Sequence, residues 1–147
     1  MKLSDVLERA LRATQARTKY DLGEGDLNDI SPVCDCSGFV SHANGIHRDP
    51  ARSKGKRKLW VESTNIYNDA RGRQSEWIRL EKPIPGCTIA RPDIGRIQGH
   101  VAIFEKKVGP IVYGIDCGKK GITRRRLTWM WAWPKKPIYC YPRGIEP

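Results

Sequence analysis

The sequence contains no apolar run approaching the roughly 20 residues that a bilayer-spanning helix needs, which argues against a helical membrane span. Its first residues, Met1-Lys2-Leu3-Ser4-Asp5-Val6, lack the apolar stretch of about 7–15 residues that marks a secretory signal. The expectation is a product made in the cytoplasm without a signal peptide, so any extracytoplasmic target requires another route of exit. No internal repeat, low-complexity tract or dividing linker is visible, which leaves a single domain over residues 1–147. A second paired-cysteine knuckle, an RNP-like string and a helix-turn-helix signature are also missing, which argues against common small nucleic-acid-binding modules.

What the chain does contain is globular in character. Hydrophobic residues make up 39% and charged residues 29% of the 147. A chain of this length can bury roughly 70% of its unfolded surface, enough for a core without disulfide staples. Lys and Arg number 27 against 16 Asp and Glu, for a net charge of +11. The excess is concentrated: residues 1–47 contribute −2, Arg48–Lys58 contribute +5, and Cys117–Leu127 carry five basic residues and no acid. Such stretches are either solvated loops or a surface for an anionic polymer, which could be nucleic acid, an acidic membrane or a cell wall. Five cysteines are present, an odd number.

Periodicity divides the chain into helices first and strands later. Val6, Leu7, Ala10 and Leu11 recur at helical spacing, so a helix is expected from Ser4, as N-cap, to about Arg17. A second helix is expected from Cys36 to about Ala43, stopped by Asn44-Gly45, and a third from Glu62 to about Ala70, closed by Gly72. Arg48–Lys58 lacks periodicity and reads as a loop. Thr88–Ala90, His100–Phe104, Ile111–Ile115 and Pro137–Tyr141 are β-prone runs. This order predicts an α+β domain in which N-terminal helices pack on a C-terminal antiparallel sheet. Trp129, Trp131 and Trp133 alternate, so in an extended segment their rings would share one face, as core packing or as a stacking platform.

Two local features carry chemistry. In Asp35-Cys36-Ser37-Gly38-Phe39-Val40 a cysteine occupies the first turn of an expected helix, where backbone N–H groups favour a thiolate. In Gly99-His100-Val101-Ala102-Ile103-Phe104 a histidine opens a strand. Either residue alone has an ordinary structural reading, the thiol as a buried small hydrophobe and the imidazole as a satisfied polar group. Together they fit a nucleophile and base that lie far apart in sequence and meet in the fold.

The strings DCSGFV and GHVAIF resemble those of the NlpC-type cell-wall cysteine peptidases, papain-like enzymes that cut the peptide stems of peptidoglycan. Ile84-Pro85-Gly86-Cys87-Thr88-Ile89 resembles the family's Pro-Gly-Asp turn, with Cys87 in place of the aspartate, and Thr64–Ala70 resembles a helix of phage-encoded members. The resemblance covers Tyr20 to Asp116. It implies a papain-like fold with Cys36 as nucleophile, His100 as general base and Asp116 as the residue that orients the imidazole. Tyr20 would donate to the oxyanion, and Ser37, Trp129, Trp131 and Trp133 are candidate substrate contacts. No cofactor or metal is implied. The implied reaction is cleavage of the bond between D-glutamate and the diamino acid, with an amidase acting at the sugar–peptide junction as the alternative. The partner would be peptidoglycan, reached by a monomer in the periplasm or cell wall after holin release or injection, and an injected effector would have an immunity protein. Nucleic acid is not an expected partner on this reading. The rival reading is a small basic zinc- or nucleic-acid-binding protein without catalysis, with Cys34, Cys36, His100 and Cys117 as zinc ligands.

Overall fold

A computed structural model describes residues 1–22, 30, 33–47 and 61–147. The basic segment Arg48–Lys58 lies outside the described residues. The description covers three α-helices: α1 (Leu3–Ala13), α2 (Cys36–Asn44) and α3 (Ser63–Arg71). It also covers eight strands: β1 (Lys19–Tyr20), β2 (Val33–Cys34), β3 (Trp77–Leu80), β4 (Thr88–Arg91), β5 (His100–Val108), β6 (Ile111–Gly118), β7 (Gly121–Arg126) and β8 (Ile138–Pro142). β3 to β8 form one antiparallel sheet in the order β3-β8-β4-β5-β6-β7, while β1 and β2 make a short parallel pair. The architecture is α+β, as the succession of patterns predicts. Among the described residues no helix is long and apolar enough to cross a membrane.

α2 occupies the centre. Eight of its nine residues are buried, and its mixture of Phe39, Val40 and Ala43 with Ser37, Gly38 and Ser41 suits a helix enclosed on all sides. Its buried polar groups are satisfied locally: Ser41 Oγ donates to the Ser37 carbonyl at 2.8 Å and Asn44 Nδ2 to the Val40 carbonyl at 2.9 Å. α2 packs on β5 and β6, α1 on α2 and β5, and α3 on β3 and β4. Trp77, Phe39, Ile66, Ile89, Ile103 and Ile115 fill the core between these layers.

Several boundaries differ from expectation for local reasons. α1 is capped two residues earlier than expected and ends four residues short of Arg17. Lys2, not Ser4, holds the cap position, because its backbone N–H is taken by the Asp5 carboxylate at 2.7 Å, and Leu3 N–H reaches the Glu146 carbonyl at 2.9 Å. β3 escapes the pattern because it is only four residues long, has Trp77 as its single buried residue and follows exposed Ser75 and Glu76. The basic stretch after Cys117 is not a loop but the end of β6, a tight turn and β7.

The Trp129–Trp133 stripe is also corrected. Thr128–Ala132 is a 3₁₀ helix, so the three rings diverge instead of sharing a face. Trp129 lies against His100 with ring centroids 5.2 Å apart, Trp131 packs on Tyr139 at 5.9 Å, and Trp133 lies under the Arg91 guanidinium at 5.6 Å.

The Pro85-Gly86-Cys87 turn precedes β4. Gly86 sits at φ +95°, and a Cβ there would fall 1.9 Å from the Leu3 carbonyl oxygen, so glycine is required both by conformation and by the approach of α1. Cys87 is fully buried, and burial pushes its thiol up to about 12, which keeps it a neutral packing group.

Candidate active site

Cys36 is the first residue of α2. Asp35 caps the helix from extended backbone, its Oδ1 accepting the Gly38 N–H at 2.7 Å. The same Oδ1 lies 3.4 Å from the Ser37 hydroxyl, which therefore faces the cap rather than the cavity described below. Replacing Asp35 by Ala should lower the stability of the whole domain by about 1 kcal/mol, because α2 is its central helix. The shift of the urea midpoint measures this, and an unchanged midpoint would show that the cap is redundant.

His100 and Asp116 are brought together by a long hairpin. The chain between them runs along the two arms of β5 and β6, joined at Gly109-Pro110 and irregular between Phe104 and Lys106. Ile103 faces Ile115 across the pair, so Asp116 stands diagonal to His100 at the open end. Asp116 Oδ2 lies 2.7 Å from His100 Nε2. An ionised carboxylate can only accept, so Nε2 carries the proton. The Cys36 thiol also acts on the imidazole and favours its protonated form, and Nδ1 is the ring nitrogen left free of Asp116.

The electrostatics follow from these contacts. Burial opposes charge on His100, but hydrogen bonds to Asp116 and Cys36 and the negative charge of both outweigh it, raising His100 to about 9. Burial likewise opposes charge on the fully enclosed Asp116, yet hydrogen bonds from His100 and Arg125 hold its carboxyl below the ordinary aspartate range.

Arg125 is the participant that sequence reasoning missed. Its Nε donates to Asp116 Oδ1 at 2.9 Å and its Nη2 to Oδ2 at 2.6 Å, a bidentate grip that completes the row Cys36–His100–Asp116–Arg125. Trp129 covers this row, with the Arg125 guanidinium 5.3 Å from its ring. The signal that would have found Arg125 is the two-residue alternation of β7. Arg124 instead binds Glu105, whereas Arg125 turns to Asp116.

Tyr20 enters through the parallel β1–β2 pair. It stands opposite Cys34, two residues before Cys36, so the short pairing brings it close to the start of α2. Burial and the nearby Cys36 and Asp35 charges raise its phenol above the usual value, so the hydroxyl keeps its proton and remains a donor. The Gln98 side chain offsets part of this rise. Arg91, itself 3% exposed, donates from Nη2 to the Gln98 carbonyl at 2.9 Å and so fixes the segment that carries Gln98.

A cavity of about 610 Å³ opens beside His100, walled by Tyr20, Gln98, Arg125, Trp129 and the Gly118–Lys120 turn. Of the three alternating tryptophans, only Trp129 lines it. All five cysteines are free and buried. Cys34 Sγ donates to the Asp35 carbonyl at 3.0 Å and Cys117 Sγ to the Cys34 carbonyl at 3.3 Å. Among the described residues no group of three or more His, Cys, Asp or Glu is placed to hold a metal ion, so the zinc set Cys34, Cys36, His100 and Cys117 does not converge. Comparison with family models, curated proteins and solved structures finds no match for this chain.

Proposed function

We propose that this protein is a cysteine hydrolase of the papain-like, NlpC type that cleaves an amide bond in the peptide stem of peptidoglycan. The observation that supports this best is an imidazole held between a thiol at a helix N-terminus and a buried carboxylate, with Asp116 Oδ2 2.7 Å from Nε2. A proton taken from Cys36 onto His100 gives a thiolate beside an imidazolium, which Asp116 stabilises and orients. The thiolate attacks the amide carbonyl, and the tetrahedral oxyanion is held by the Cys36 backbone N–H and the Tyr20 hydroxyl. His100 then gives its proton to the leaving amine as the carbon–nitrogen bond breaks. Water attacks the thioester with His100 as base, releasing the carboxylate product and restoring the thiol.

The bond proposed is that between D-glutamate and the diamino acid. Digestion of purified peptidoglycan under reducing conditions, followed by mass spectrometry of the muropeptides, should reveal new termini at that bond. An unchanged muropeptide profile would overturn the proposal. The place of action proposed is the periplasm or cell wall, reached as a phage lysin or as an injected effector. A cognate immunity protein that seals the cleft would identify the effector.

A further inference from the structure

The cavity beside His100 has a marked charge imbalance. Among the described residues that wall it there is no Asp or Glu, while Arg125, Lys119 and Lys120 all contribute positive charge. Arg125 is already neutralised by its bidentate pair with Asp116. Lys119 and Lys120 are exposed, and among the described residues neither takes part in an ion pair or hydrogen bond. Their turn is nevertheless held in place. Gly121, at φ +81°, lets it pack so closely that a Cβ there would fall 2.1 Å from the Thr18 carbonyl oxygen, in the segment leading into β1. Lys119 and Lys120 thus line, from a braced turn, a cavity whose other walls include Trp129, Thr123 and Gln98. Walls of low polarity strengthen the field of such charges within a cleft.

We infer that this cavity is an anion subsite, in which Lys119 and Lys120 receive a free carboxylate that the substrate carries close to the scissile amide. A γ-linked glutamyl residue bears such a group, whereas its α-carboxamide counterpart does not. The inference rests on the Cys36–His100 reading for the position of the amide. It concerns a carboxylate on the peptide itself, and small soluble substrates separate this from general attraction to a polyanionic wall.

The test uses two synthetic peptides that differ only in a free α-carboxylate or an α-carboxamide on the γ-linked D-glutamyl residue. At low salt the carboxylate peptide should be favoured about tenfold in kcat/KM, the scale of one or two partly enclosed charge-assisted hydrogen bonds. The advantage should lie in KM, shrink with added salt, and vanish in Lys119→Gln/Lys120→Gln, whose exposed positions spare the core. Equal turnover of both peptides by the unaltered protein, or an undiminished preference in the double variant, would overturn the subsite while leaving the hydrolase reading intact. Should neither peptide be cleaved, Kd values of Cys36→Ala for the same pair decide the matter. Selective binding of the carboxylate peptide that the lysine substitutions remove supports the subsite and places the failure in the proposed reaction; equal or absent binding overturns the subsite.

Discussion

Replacing Cys36 by Ala should abolish amide cleavage in purified cell walls, lowering kcat/KM by more than about 10⁴-fold, because nothing else in the site can form the covalent acyl intermediate. The fold should survive. Cys36 is a small buried residue at the helix start, the Asp35 cap does not involve its thiol, and a methyl group retains most of its packing. Far-UV circular dichroism and the urea midpoint check the fold, and release of new amino groups checks activity. Retained lysis by a folded Cys36→Ala protein would remove Cys36 from the mechanism. The same substitution should also lower the basicity of His100, since the thiol side of the imidazole contributes to the rise towards 9. Proton NMR of the imidazole across pH would follow that change directly.

Replacing Asp116 by Asn should lower kcat about 10²- to 10⁴-fold while preserving the shape of the site. A carboxamide can still occupy the volume between His100 and Arg125, but it supplies no charge to the imidazolium and can offer the wrong tautomer. The pH profile gives a more specific readout. In the unaltered protein the His100 imidazolium persists until pH rises through about 9, so under the proposed mechanism kcat/KM should fall on that side. In Asp116→Asn the fall should begin at lower pH, towards the ordinary histidine value near 6.5. An unmoved alkaline limb would show that Asp116 does not act through His100.

Stability should follow the same titration. The folded protein binds the His100 proton more tightly than the unfolded chain does. The associated stabilisation is therefore complete below about pH 6.5 and is lost as pH rises through about 9. Asp116 contributes in the opposite direction: its depressed carboxyl adds stability above the ordinary aspartate value, which is lost as pH falls into the acid range. Arg125 joins these effects, because its grip on both carboxylate oxygens keeps Asp116 charged in a fully buried position.

Local pattern made much of this protein legible. The apolar spacing of Val6, Leu7, Ala10 and Leu11 marks α1, and Asp35 and Gly45 bracket α2 with the two strongest punctuation signals available to a helix. Cys36 at the first turn and His100 at the start of a strand could be singled out because each position has a local chemical meaning. Asp116 was reachable because it lies on the strand that follows the histidine.

Other features depend on registers and close approaches that no local window contains. Tyr20 meets the site only because β1 pairs in parallel with β2, opposite Cys34. Arg125 among three consecutive arginines acquires its partner only once β7 is aligned on β6, since the pleat separates it from its neighbours. Alternating tryptophans share one face only where the segment is extended. A 3₁₀ turn places Trp129 over the His–Asp–Arg row and sends the other two elsewhere.

The net charge divides in the same way. The excess of cations, and the stretch after Cys117 that holds five of them, can be read directly along the chain. Their uses depend on the fold: Arg125 is committed to a buried carboxylate, Arg124 to Glu105, and Lys119 and Lys120 line the cavity. The physical reason is that a charge gains its role from what stands within a few ångströms of it. That distance is set by strand register and by the packing of α2 on the sheet, not by position along the chain.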